Sequence, residues 1–285
     1  MSGTRTNLKN QTANETALKE VEQWRAKHEA DYRREWVPLA GLFFLKDGAN
    51  TAGSARSNDI VLPPRMPPSI GRFVYQNQRI RFEPQRGAGA MTNGKPIMSP
   101  INLRSDATSE TDEIAIGDIT LWVHESGERR AIRMRDPQSE MARAFAGFTW
   151  FPIDERYRVV AKFIKDPAPR EIKVASLSGD DQTYTTEGVV DFTLNGQIIR
   201  MRPMTTRPGR LYLVFRDATS GHETYEAARF LYSDLRADMT TVLDFNEAYN
   251  PPCAFNPYTT CPLPLPENRL TVKILAGERA YAGRH

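Results

Sequence analysis

The chain has 285 residues, with 38 Lys and Arg against 35 Asp and Glu, a formal net charge of +3 and 40% hydrophobic residues. That length accommodates one large or two modest domains and enough apolar side chain to build a core without disulfides or metal. The composition excludes a disordered tail, and so small a net charge gives no argument for nucleic acid or an anionic membrane as partner.

The first residues, 1–34, are polar and charged and lack the apolar centre of a secretory signal. The apolar stretch 37–45 is too short to span a bilayer. The expectation is a soluble cytoplasmic protein. Residues 14–35 read as one helix. Leu18, Val21, Trp24, His28 and Tyr32 recur at spacings of three, three, four and four, which makes one apolar and aromatic stripe at helical period. His28 belongs to that stripe, and the stripe is expected to pack against the body of the protein. Residues 1–36 are therefore set apart as an N-terminal helix.

After Pro38 the texture changes to short apolar runs between Gly, Pro and Asn clusters. Strands are expected at 42–45, 60–62, 71–75, 78–82, 114–116, 119–124 and 129–134. Asn77 falls in a tight turn, Asn93-Gly94 is a two-residue hairpin signal because both residues tolerate positive φ, and 125–128 form a further turn. These make a small β-domain over 37–138. Pro137 and a short helical segment in 139–147 interrupt the pattern. A second β-domain over 139–285 carries runs at 157–164, 171–176, 183–186, 188–194, 197–203, 210–216, 224–232, 240–245 and 270–275, with Asn195-Gly196 as a tight hairpin. So many antiparallel strands at this spacing mean a sandwich or a barrel, and the fold class is all-β with an N-terminal helix. A Pro-rich loop spans 250–266.

Two resemblances follow from particular residues. Gly53-Ser54-Ala55-Arg56-Ser57-Asn58-Asp59-Ile60-Val61-Leu62, with the later Asn93-Gly94, resembles the opening strand and loop of a forkhead-associated domain. That implies a β-sandwich of the kind that reads phosphothreonine. The family's Arg after the first Gly is Ser54 here, and its Ser-x-x-His reads Ser69-Ile70-Gly71-Arg72. Binding of a phosphothreonine peptide is therefore not expected. The second resemblance is carried by Phe215-Arg216-Asp217-Ala218-Thr219-Ser220-Gly221, Thr224-Tyr225, Arg229, Asp244-Phe245-Asn246-Glu247-Ala248-Tyr249-Asn250-Pro251-Pro252-Cys253, Cys261-Pro262-Leu263-Pro264, Glu267-Asn268-Arg269-Leu270 and Ala276-Gly277-Glu278. Together these look like a widespread microbial family catalogued as a domain of unknown function, which implies a shared fold and supplies no reaction.

The polar residues of 216–250 carry the candidate chemistry. If 210–216 and 224–232 form a hairpin, Arg216 and Tyr225 lie near its mouth and can converge with Arg229 on an anion, since guanidinium forks suit a carboxylate or phosphate. The alternative is internal, with Asp217, Asp191 or Asp244 pairing the arginines. Asp244, Asn246, Tyr249 and Asn250 close a strand and enter the Pro-rich loop; they can line a site or hydrogen-bond the loop backbone, whose prolines cannot donate. Ser220 and His222, two apart beside Asp217, have the residue types of a nucleophile and base, outside any Gly-x-Ser-x-Gly elbow. The histidines His28, His124, His222 and His285 form no ligand pair, and neither metal nor cofactor is expected. Cys253 and Cys261 are expected to be a structural pair, close enough to bridge.

The expected function is binding, with or without conversion, of a small anionic or polar metabolite in the C-terminal β-domain, by Arg216, Asp217, Tyr225, Arg229, Asp244, Asn246 and Tyr249. The alternatives are a hydrolase or lyase using polar residues of 216–250, and a non-catalytic interaction scaffold.

Overall fold

The structure is a computed structural model that describes residues 3–283, with helix side chains described from residue 15; His285 lies outside the described residues. The first helix, α1, runs Gly3–Glu35. Two compact units follow from the contacts: Glu35–Phe145, and α1 together with the chain from Ala146 onward. No helix is long and apolar enough to cross a membrane among the described residues.

The unit Glu35–Phe145 contains β1 (Leu39–Phe44), β2 (Gly48–Gly53), β3 (Ile60–Val61), β4 (Gly71–Gln76), β5 (Arg79–Pro84), β6 (Met91–Thr92), β7 (Lys95–Pro96), β8 (Ile101–Leu103), β9 (Glu113–Ile116), β10 (Ile119–Ser126) and β11 (Arg129–Arg135). One sheet has the order β1-β11-β10-β9-β6-β7 and the other β3-β2-β4-β5-β8. The alternating burial of each strand feeds one shared core: Phe73 and Phe82 from one sheet meet Ile114, Leu121 and Ile132 from the other. This is a two-layer sandwich. A short helix, α2 (Glu140–Ala144), is capped by Ser139, whose hydroxyl accepts from the Ala142 N–H.

The second unit contains β12 (Arg158–Ala175), β13 (Asp181–Leu194), β14 (Gln197–Met201), β15 (Met204–Arg207), β16 (Arg210–Phe215), β17 (Arg229–Asp234) and β18 (Thr240–Asp244). They form one antiparallel sheet in the order β17-β16-β15-β13-β12-β18, with β14 also on β13. The sheet curls into a nearly closed barrel around Phe163, Phe192, Leu213, Phe215, Leu243 and Phe245. The Asn-Gly turns behave as their chemistry requires. Asn93 and Gly94 have φ of 48° and 72°, and Asn195 and Gly196 have 51° and 78°, both central residues of each turn lying at positive φ.

Four expected strands are two. The runs 157–164 and 171–176 are one strand, β12, interrupted in register between Lys165 and Arg170. Asp166-Pro167-Ala168-Pro169 fills the gap; the prolines cannot donate to the ladder, so it breaks while the chain continues. The runs 183–186 and 188–194 are likewise one strand, β13.

Two expected strands are shortened or missing for a shared reason. Residues 224–228 lie outside β17 because Thr224 folds back on the preceding turn, its N–H donating to the Thr219 carbonyl at 3.1 Å. Residues 270–275 form no strand because their polar backbone is satisfied elsewhere. The Ile274 carbonyl accepts from the Arg229 guanidinium at 3.0 Å, and the Val272 carbonyl from the Ala218 N–H at 2.9 Å.

The stripe of α1 packs against this second unit, as its spacing required. Val21 and Tyr32 are buried, each gaining roughly 1.5–3 kcal/mol from removal of apolar surface from water. Arg25 pins the helix by donating from Nη2 to the Asn246 carbonyl at 3.0 Å and from Nη1 to the Phe151 carbonyl at 3.1 Å. Glu29 accepts the Phe148 N–H at 3.1 Å.

Candidate functional site: a cleft at the barrel seam

The outer strands β17 and β18 face each other across the barrel's seam without a backbone ladder between them among the described residues. Hydroxyls close the seam instead. The Ser233 hydroxyl donates to the Val242 carbonyl at 2.6 Å, and Thr241 Oγ1 donates to the Asp234 carbonyl at 2.9 Å. Further along, Phe230 and Tyr249 exchange backbone hydrogen bonds at 2.8 and 3.0 Å. Beside this seam lies a cleft of about 410 Å³. The barrel lines it with Arg158, Arg210, Tyr232, Asp234 and Asp244, the chain after β18 adds Glu247 and Tyr249, and α1 contributes Glu20, Trp24 and His28.

Its charges are unevenly matched. Arg158 lies 3.6 Å from Asp244 and 3.8 Å from Glu20. Arg210 pairs with Asp234 at 2.7 Å and lies over the Tyr232 ring. Asp244 also accepts the Asn246 N–H at 3.1 Å and its amide at 2.9 Å. The Glu247 carboxylate has no hydrogen-bond or ion-pair partner among the described residues. Burial, reinforced by Asp244, pushes its pKa up to about 7, against the weaker pull of Arg158 and Arg210. His28 stacks on Trp24 with ring centroids 4.8 Å apart and lies 4.5 Å from Tyr249. Burial pulls its imidazole down to about 4, so it is neutral at pH 7.

Of the residues expected to bind a ligand, Asp244 and Tyr249 line the cleft and Asn246 lies directly behind it. Asp217, Arg229 and Tyr225 do not line it. Arg229 is fully buried and donates to Asp217 at 2.7 Å and to the Ile274 and Ala276 carbonyls. Its guanidinium holds the fold together internally. Arg216 follows the last residue of β16, its backbone tied to Asn268 and Leu270. The expected convergence of Arg216 and Arg229 on one anion is therefore corrected: β16 and β17 do pair, with Phe215 opposite Arg229, but the Arg229 guanidinium is buried and taken up by Asp217 and two backbone carbonyls, which leaves it no free face for an anion. Tyr225 sits outside the strands, its hydroxyl donating to the Cys253 carbonyl at 3.4 Å.

Much of the motif chemistry is structural. Asn246 accepts the Asp154 N–H and donates to the Asp154 carbonyl, both at 3.0 Å. Asn268 treats Arg202 the same way, at 2.8 and 2.9 Å, and also donates to the Val214 carbonyl. Each side-chain amide thus replaces one rung of a ladder. Asn250 bonds Glu278 through its backbone N–H at 2.9 Å and its amide at 2.8 Å. Glu278 is buried, and that burial raises its carboxyl to about 8 against those hydrogen bonds and nearby Arg229. Gly277 has φ of +80°, and a Cβ there would lie 2.2 Å from the Ala248 carbonyl and 2.9 Å from Arg229 Nη2. Only glycine lets this tail cross so close.

Ser220 and His222 form no nucleophile–base pair. The Ser220 hydroxyl accepts the Asp217 N–H at 3.2 Å, while His222 is exposed on the turn. Cys253 and Cys261 are free thiols in mutual hydrogen-bond contact, and that contact pushes the Cys253 thiol up. The residues that sequence reasoning missed are Glu247, Arg158 and Arg210. Glu247 stood inside the quoted motif; the two arginines gave no signal, because strand pairing alone brings them together.

The fold is thus a two-unit β-protein whose second unit is a curled antiparallel barrel with a polar cleft at its seam. Residues 143–279 match a family described as a protein of unknown function (DUF1684), and the chain belongs to that family. Among solved structures, it is similar to the solution NMR structure of an uncharacterized protein from Haloarcula marismortui. The two are 30% identical, with 50% of this chain and 82% of that one covered and a TM-score of 0.42. It is also similar to a structure from a study of phosphothreonine-dependent FHA domain interactions, at 16% identity and a TM-score of 0.24, covering 33% of this chain and 92% of that one. No curated protein matches the chain.

Proposed function

We propose that this protein binds a small polar metabolite in the seam cleft of its second unit. The observation that carries this reading is Glu247: a half-buried carboxyl, unpaired among the described residues, facing a cleft of about 410 Å³. A carboxylate held partly out of water without a partner is costly to the fold, and a ligand that engages it would offset that cost. Aromatic walls and a few converging polar groups are the usual make-up of a small-molecule site.

The Glu247 pKa near 7 also supports conversion as a second reading, since a carboxyl poised there can take or give a proton at neutral pH. The deciding experiment is native mass spectrometry of the full chain, followed by a thermal-shift screen of polar metabolites. A retained or stabilising small molecule is expected, and its effect should disappear in Glu247→Gln. If no small molecule is retained and none stabilises the chain, the reading falls.

A further inference from the structure

The charges around the cleft say more about what enters it. From α1 comes Glu20, and from β12 comes Arg158, which lies between Glu20 and Asp244 at 3.8 and 3.6 Å. From β16 comes Arg210, engaged by Asp234 of β17 at 2.7 Å. Both cations of the lining therefore already face carboxylates. His28 adds no charge at pH 7, because burial holds its imidazole neutral. Tyr232 and Tyr249 stay protonated at neutral pH, since burial raises both phenols. With Glu247 ionised, four carboxylates, those of Glu20, Asp234, Asp244 and Glu247, face the two guanidinium groups of the lining, and Arg25 of α1, whose guanidinium sits on the Asn246 and Phe151 carbonyls, is a third cation whose charge reaches Asp244 and Glu247. Even with Arg25 counted the balance stays negative; of the four carboxylates Glu247 alone has no hydrogen-bond or ion-pair partner among the described residues, and rings of Trp24 and Tyr249 line the same cleft.

We propose that the ligand of this cleft carries an ammonium group, seated on the Glu247 carboxylate against the aromatic wall of Trp24 and Tyr249. An anion would meet arginines that are already paired and would be repelled by Glu247. A cation gains a carboxylate and, beside it, the negative faces of aromatic rings, which attract ammonium groups more strongly where water is excluded. This inference rests on the proposed ligand-binding role of the cleft and narrows it to one class of ligand.

Three nearly isosteric probes test it on the full chain: choline, 3,3-dimethylbutanol and 3,3-dimethylbutanoate, which are cationic, neutral and anionic. Binding is read by ligand-observed NMR and titration calorimetry. Choline is expected to bind at least about tenfold more tightly than either of the others, the factor that a surviving charge interaction of ordinary size produces. Its affinity should rise at least about tenfold from about pH 5.5 to about pH 8.5, as Glu247 loses its proton. Glu247→Gln should flatten that profile; if this variant fails to fold, the pH profile of the wild-type chain still decides. Binding of the neutral or anionic probe as tightly as choline overturns the cation assignment and leaves the cleft reading standing. Failure of all three also overturns it, and the mass-spectrometry result then decides separately whether the cleft binds any ligand. An affinity for choline that does not change with pH removes Glu247 from the site.

Discussion

Arg229 heads the fully buried side chains by size, and it explains why the C-terminal tail stays on the barrel. Its guanidinium reaches Asp217 on one side and the carbonyls of Ile274 and Ala276 on the other. Burial depresses its pKa while Asp217 supports the charge. Arg229→Ala would leave Asp217 buried without its counter-charge and should cost about 3–5 kcal/mol. Denaturant unfolding of the variant measures this; a loss below about 1 kcal/mol would mean that the pair contributes little net stability. Glu247 makes the opposite prediction. Its carboxyl rises from an ordinary 4.5 to about 7 in the fold. The native state therefore holds the proton more tightly than the unfolded chain, and stability falls as pH rises from about 4.5 to about 7. Glu247→Gln removes that penalty and should stabilise the chain by about 1–3 kcal/mol at pH 8 while changing little near pH 4.5. Melting curves at both pH values check it. Glu278, raised to about 8 for the same reason, keeps part of the slope in the variant.

At the level of elements, the seam is the feature that makes the cleft. Strand edges normally pair or are covered, and here β17 and β18 are joined by Ser233 and Thr241. Ser233→Ala with Thr241→Val removes that closure and should cost about 1–3 kcal/mol, with faster hydrogen exchange confined to β17 and β18. Faster exchange spread evenly over the barrel would show instead that these hydroxyls support the whole sheet. The helix α1 was legible because five side chains recur at one period. The Asn-Gly hairpins were legible because their φ requirement is local. The arrest of the strand at 224–228 was not legible, because it depends on Thr224 meeting Thr219. Residues 270–275 have strand-like composition, and only the fold reveals that Arg229 takes their carbonyls.

Across the whole molecule, the two β-rich halves and the polar block from Asp244 to Asn250 are legible in the sequence, but not the residues that line the cleft beside that block. Asp244 and Tyr249 could be singled out from their strand-end position. Arg158 and Arg210 could not, because they come from strands far away in the chain and meet only when the sheet curls. Asn246 and Asn250 are candidates for a site because amides are versatile, and Asn268 stands in the family motif. In the structure the Asn246 and Asn268 amides pair with distant backbone and the Asn250 amide N–H groups with Glu278 and the Arg279 carbonyl, and this separates motif residues that build the barrel from those that face the cleft.

The cleft draws its two sides from different parts of the chain. Glu247, Asp234, Asp244, both arginines and the Tyr232 and Tyr249 rings belong to the segment 143–279 that the family shares, while Glu20, Trp24 and His28 come from α1, before that segment begins. The proposed anchor, Glu247, and the Trp24 half of the proposed aromatic wall are thus separately encoded. Exchange of the α1 face for another would keep Glu247 in place and change the shape and polarity of whatever reaches it. On the proposed reading, one barrel would take different ligands according to the helix that precedes it.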